Sequence, residues 1–255
     1  MAEILKVEGL SKQFTKKNLF GSKTSVVKAV ENVTFTLHDD EVLVIAGESG
    51  SGKSTIAKLI LRAIIPDSGK VIFNGEEVTD NADSIKKIRM NCQMVHQDPY
   101  DSINPRMRVR DIVSEPLEIH NVGDTTEREK IVLDALREVK LEPSEEIANK
   151  YPHMLSGGQR QRVVLARALV LRPKIIIADE PVSMLDVSIR AEILDLMKNI
   201  QKKNNISFIY ITHDLATARH FGQEIIILYL GKIMETGSIN KVLLEPRHPY
   251  TQALI

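Results

Sequence analysis

Gly47-Glu48-Ser49-Gly50-Ser51-Gly52-Lys53-Ser54-Thr55 lies between an apolar run, Val42 to Ala46, and a helix-forming run, Ser54 to Leu61. Strand, glycine-rich loop and helix form the context in which G-x-x-x-x-G-K-[ST] binds phosphate. A side chain at the glycines would hold the backbone away from an anion. Without one, consecutive N–H groups can wrap a phosphate, at a helix N-terminus whose dipole also favours negative charge. Lys53 is then placed to reach the β- and γ-phosphates of a triphosphate, and the Ser54 hydroxyl to ligate Mg²⁺. The bland alternative is a glycine-rich turn that holds nothing; the filled fixed positions and the flanks argue against it.

The chain of 255 residues has room for one large domain or a core with a subdomain. Lys and Arg number 34 and Asp and Glu number 34, so no nucleic-acid-coating surface is expected. A single cysteine, Cys92, excludes an internal disulfide and fits a reducing compartment; its apolar surroundings suggest a buried structural thiol. There is no basic-then-apolar N-terminal signal and no run of 18 uncharged apolar residues. A soluble protein is therefore expected, with any membrane role exercised through a partner.

Outward from the loop, Ile4 to Leu10 and Val33 to Leu37 have strand character, with a polar loop, Lys16 to Ser25, between them. Lys70 to Phe73 and Glu76 to Val78 flank Asn74-Gly75, a strong hairpin signal. A short helix is expected over Asp83 to Ile88 and a strand over Asn91 to His96. From Pro105 to Leu155 the pattern is helical: Val132, Leu136 and Val139 share a face of a helix over Thr126 to Lys140, with Thr125 or Thr126 as its cap. A helix is expected from Leu155 through Leu171 and a strand over Lys174 to Ala178. Ile189, Ile193, Leu196 and Ile200 mark a further helix face, Ile206 to Ile211 another strand, and Glu224 to Thr236 a closing hairpin. Alternating strands and helices predict an α/β fold, with a mainly parallel sheet, antiparallel additions and an inserted helical subdomain.

Hydrolysis of a triphosphate needs a second Mg²⁺ anchor and a group that orients water. Ile175-Ile176-Ile177-Ala178-Asp179-Glu180 supplies both in principle, with Asp179 beside Mg²⁺ and Glu180 as acceptor of the water's proton. Alone, the Asp-Glu pair would read as a solvated strand end. Leu155-Ser156-Gly157-Gly158-Gln159 is a serine-led helix start, a second anion-binding N-terminus or simply a cap. Phe14, near the first strand's end, reads equally well as a base-stacking ring or as a satellite core residue.

The order GESGSGKST, Gln97, LSGGQ, IIIADE, Ser183-Met184-Leu185-Asp186 and His213 resembles the ATP-binding cassette ATPases over essentially the whole chain. LSGGQ just ahead of a strand ending Asp-Glu is far more specific than the phosphate loop alone. The resemblance implies a P-loop NTPase core of the ABC type in one domain, 1–255. Its RecA-like and β parts would be 1–97 and 166–240, its helical subdomain about 98–165, and its C-terminal tail 241–255. It implies ATP and Mg²⁺ as cofactors. Gly47, Glu48, Ser49, Gly50, Ser51, Gly52, Lys53, Ser54 and Thr55 match the Walker A loop, and Phe14 the aromatic that stacks on adenine. Gln97 matches the residue that senses Mg²⁺ and the lytic water. Ser156, Gly157, Gly158 and Gln159 match the signature that contacts the γ-phosphate on an opposing subunit. Asp179 matches the Mg²⁺ anchor, Glu180 the catalytic glutamate, Asp186 the loop between subunits, and His213 the switch histidine.

Gln97-Asp98-Pro99-Tyr100-Asp101-Ser102-Ile103-Asn104-Pro105-Arg106-Met107 and His248-Pro249-Tyr250-Thr251-Gln252-Ala253-Leu254 narrow the resemblance to the oligopeptide, dipeptide and nickel importer branch. Met184 stands where that branch more usually has alanine. The branch implies a peripheral subunit on the cytoplasmic face of the membrane, pairing with a second ATPase subunit, identical or paralogous. Two membrane-spanning permease subunits and, indirectly, a solute-binding protein complete the set, with no nucleic acid. Peptides are the expected solute, with nickel or sugar as the alternative. A soluble cassette acting on DNA or ribosomes would carry long heptads or a second cassette, neither of which is seen. A binding module without turnover would not need Glu180, and a small-molecule P-loop kinase would not need LSGGQ.

Overall fold

Alternating buried and exposed residues begin the chain as two long strands in a computed structural model that describes residues 2–17, 24–98 and 102–255. β1 (Glu3–Lys17) and β2 (Thr24–His38) pair antiparallel from Glu3↔His38 to Lys17↔Thr24. Leu5, Val7 and Leu10 of β1 and Val30, Val33 and Leu37 of β2 are buried. The strands run further than their buried residues do, so residues 16–17 and 24–25 of the loop expected over Lys16 to Ser25 are strand. The ladder continues past the buried residues as an exposed arm that carries Phe14, Val26 and Val27. The rest of that expected loop, 18–23, lies outside the described residues.

β3 (Val42–Ala46), buried throughout, leads through the phosphate loop into α1 (Lys53–Ile60). β4 (Ser68–Phe73) and β5 (Glu76–Glu77) join at Asn74-Gly75, whose φ values of 50° and 78° are those of a hairpin turn. α2 (Ala82–Asn91) outruns its expected span at both ends, and β6 (Cys92–Val95) follows. Helices α3 (Val109–Ile119), α4 (Thr125–Glu138), α5 (Ser144–Asn149) and α6 (Gly157–Leu169) come next. The cap of α4 is Asp124 rather than Thr125 or Thr126. Its carboxylate accepts the N–H groups of Thr126 and Glu127, each at 2.9 Å, and Glu127 accepts the Asp124 N–H at 3.0 Å. The chain then runs through β7 (Ile175–Asp179), α7 (Val187–Asn204), β8 (Ser207–Thr212), α8 (Leu215–Phe221) and β9 (Glu224–Tyr229). It closes with β10 (Lys232–Ser238), α9 (Ile239–Leu244) and α10 (Pro249–Leu254). Among the described residues no helix is long and apolar enough to cross a membrane.

Contacts divide the chain into two units, Met1–Ile88 with Ile209–Ile255, and Arg89–Phe208. In the first, β2-β1-β4-β5 form an antiparallel sheet, while β3 lies parallel to β9 from Leu43↔Glu224 to Ala46↔Ile227. β9 and β10 are the expected hairpin, turning at Leu230-Gly231. In the second, β6 and β7 pair parallel from Cys92↔Ile175 to Val95↔Ala178. Ile175, Ile176 and Ile177 are wholly buried, which is why that strand is one continuous apolar run. Val113 and Leu117 of α3, Val132 and Leu136 of α4 and Val163 of α6 are buried in the same unit, and these three helices are inserted in sequence between β6 and β7. Burial pushes the Cys92 thiol far up, so it is a core group and not a nucleophile.

Candidate functional site

The phosphate loop belongs to the first unit, at the end of β3. Glu48, Ser49 and Gly50 are exposed, while Ser51 and Lys53 are buried. Gly47 has φ 153°, and a Cβ there would stand 2.1 Å from the Leu228 carbonyl oxygen, so the loop lies directly against β9. Gly52 leads into α1 in a left-handed conformation, with no side-chain cap and no acidic residue in the first turn. The N-terminal N–H groups of α1 are therefore left to an anion. Lys53 donates to the carbonyl oxygens of Gly47, at 2.7 Å, and Glu48, at 2.8 Å. Its ammonium is held inside the loop whose peptide N–H groups would meet the phosphates. Ser54 is exposed and Thr55 half-buried in the same first turn.

Two more expected residues lie in this unit. Phe14 is on β1, 42% exposed, with the Lys12 ammonium 5.9 Å from its ring centre. Such a ring is open to stacking and is not a core residue. His213 is exposed just after β8 on a tightly held turn. The Thr212 hydroxyl accepts the Asp214 N–H at 3.0 Å, and the Asp214 carboxylate caps α8 by accepting from Ala216 and Thr217.

The second unit carries the other half of the expected set. Asp179 ends β7 and is buried; Glu180 follows at φ 47°, a left-handed conformation uncommon for a glutamate. The Glu180 carboxylate accepts from the Gln97 amide at 3.0 Å. Residues 99–101, part of the motif beginning at Gln97, lie outside those described. Ser156 caps α6: its hydroxyl accepts the Gln159 N–H at 3.3 Å, and the Gln159 amide oxygen accepts the Ser156 N–H at 3.0 Å. This reciprocal cap leaves Ser156 exposed at the helix tip. Gly157 packs beside Leu185, and a Cβ on Gly158 would stand 2.8 Å from Ile189 Cγ2. The segment 183–186 therefore rests on the helix tip. Arg190 holds that segment by donating to the Leu185 carbonyl at 2.7 Å and the Ser183 carbonyl at 3.1 Å. Asp186, at the start of α7, is exposed, as are Met184 and Val187.

Three contributors were not foreseen from sequence. Arg190 had no motif to mark it. The Gly231 N–H donates to the Ser51 carbonyl at 2.8 Å, and the Glu48 N–H to the Tyr250 hydroxyl at 3.4 Å. In the sequence the segment around Tyr250 is marked only by its likeness to the importer branch.

A family model described as ABC transporter matches residues 30–183. The oligopeptide transport ATP-binding protein AppF of Bacillus subtilis is 44% identical, over 99% of this chain and 77% of its own length. The glutathione import ATP-binding protein GsiA of Salmonella typhimurium is 43% identical over 99% of this chain and 40% of its own. CbiO1 from Clostridium perfringens, described as part of the cbiONQ ABC transporter complex, superposes with a TM-score of 0.81. The two are 28% identical over 96% of this chain and 92% of that one. The ATP-binding cassette MJ0796, as a dimer in a post-hydrolysis state bound to ADP and Pi, superposes with a TM-score of 0.79. It is 31% identical over 92% of this chain and 99% of that one. With the motifs in family order and the family match spanning more than half its length, the chain belongs to the ABC transporter family.

Proposed function

We propose that this chain is the ATP-hydrolysing subunit of a peptide importer, working as one of a pair of nucleotide-binding domains. The observation that carries the reading is Glu180: a carboxylate held in a left-handed turn one residue past buried Asp179, and hydrogen-bonded to the Gln97 amide. The names of the 43–44% identical relatives, for oligopeptide and glutathione transport, support peptides over nickel or sugar.

The phosphate loop and α1 bind the triphosphate through main-chain N–H groups and Lys53, and Phe14 stacks on the base. Glu180 takes the proton of the attacking water as its oxygen bonds to the γ-phosphorus and the bond to ADP breaks. Gln97 orients Glu180 and the water, and His213 holds the γ-phosphate. Ser54, Gln97 and Asp179 would hold Mg²⁺: a hydroxyl, an amide oxygen and a carboxylate make a hard all-oxygen set. The ion supplies charge neutralisation at the phosphate oxygens. Ser156 to Gln159 and Asp186 meet the nucleotide held by the opposing subunit, so ATP binding closes the pair and hydrolysis releases it. Two permease subunits receive this motion at the cytoplasmic face of the membrane; the second ATPase is an identical copy or a paralogue, and a solute-binding protein delivers the cargo.

Glu180→Gln tests the reading. ATP affinity by calorimetry should be unchanged, turnover should fall by about 10²–10⁴-fold, and gel filtration with ATP should trap a dimer. Turnover at the wild-type rate would place the base elsewhere.

A further inference from the structure

The phosphate loop is gripped from outside its own motif. The Glu48 N–H donates to the Tyr250 hydroxyl of α10 across 3.4 Å. The carbonyl of that same peptide unit belongs to Gly47, and it accepts from the Lys53 ammonium at 2.7 Å. A peptide unit is planar, with N–H and C=O on opposite edges. Tyr250 and Lys53 therefore hold the two edges of one rigid plate, and turning the plate moves the oxygen that aims the lysine.

Tyr250 is itself well placed to hold. Its ring lies against Tyr229, with centroids 4.3 Å apart and planes at 36°. The chain entering α10 is pinned by the Glu235 carboxylate, which accepts the N–H groups of Arg247 at 2.9 Å and His248 at 3.0 Å. His248 Nδ1 accepts the Tyr250 N–H at 3.1 Å. Tyr229 ends β9, the strand whose Leu228 carbonyl lies against Gly47, so loop, strand end and α10 form one packed cluster.

We propose that Tyr250 is a positioning residue for ATP, acting through the 47–48 peptide on the Lys53 ammonium, so that the C-terminal helix α10 tunes how tightly the loop holds phosphate. This rests on the ATPase reading above. Tyr250→Phe removes one oxygen and keeps the ring pair. Steady-state hydrolysis by the full chain should show KM for ATP rising about threefold, the low end for one long hydrogen bond. The kcat and the melting temperature without nucleotide should be unchanged. A hydroxyl that only holds the fold together would instead lower the melting temperature and leave KM where it was. That result, or a variant indistinguishable from wild type, would overturn the inference while the ATPase reading stands. A wild-type chain that binds no ATP would overturn both.

Discussion

Single residues here do work that depends on where the backbone puts them. Lys53 is an ordinary lysine until the loop turns two carbonyls onto it, and Glu180 an ordinary glutamate until a left-handed turn and Gln97 aim it. Glu224, at the start of β9, shows the cost of such placement away from the site. Burial first, and then the charge of Glu41, raises its carboxyl above the ordinary 4.5, with His38 opposing. A raised value means the folded state holds the proton more tightly. The stability this contributes is full below about 4.5 and is lost as pH rises through the folded value. Above that value the charged carboxylate is held less favourably by the folded chain than by the unfolded one. Glu224→Gln should therefore raise the melting temperature at pH 7, by an amount that shrinks towards zero near pH 4, in parallel thermal scans.

At the scale of elements, the tip of α6 and the 183–186 segment are packed as one piece. Gly158 is required by the approach of Ile189, a packing partner 31 positions away in sequence. Gly158→Ala should destabilise the chain by about 1–3 kcal/mol, the usual range for overpacking. Adding Ile189→Ala should recover most of the loss in denaturant titrations, because the methyl in the way is then gone. An undiminished loss in the double variant would mean that the glycine is needed for another reason. Helix ends were the least legible elements. The threonines at the start of α4 are plausible caps on residue type, but it is Asp124, one position earlier, whose Oδ1 accepts the N–H groups of both Thr126 and Glu127. Likewise β1 and β2 run on past their buried residues, because main-chain pairing does not require a buried side chain.

For the whole molecule, the proposed working unit is a pair of chains. Each chain carries one phosphate loop and one signature, on the first and the second unit respectively. Ser156 is exposed at the signature tip, so Ser156→Arg has room to fold but would put bulk and charge where the proposed partner's nucleotide docks. Nucleotide binding to the monomer should be unchanged, while the ATP-induced dimer on gel filtration is lost and turnover falls on the order of tenfold or more, equivalent to about 1.4 kcal/mol of closure energy. A dimer that still forms with ATP would rule out contact through this tip.

What the sequence by itself determined are features carried by local chemistry: the phosphate loop, the acidic end of β7, the serine-led helix and the two glycine-turn hairpins. Each depends on residue types at fixed short spacings, and short spacings survive as motifs. Only the tertiary structure decided the meetings of distant segments: Gln97 with Glu180, Gly158 with Ile189, and Tyr250 with the peptide behind Lys53. The physical reason is that a hydrogen bond or a packing clash requires a few ångströms of approach, which no periodicity in the chain encodes.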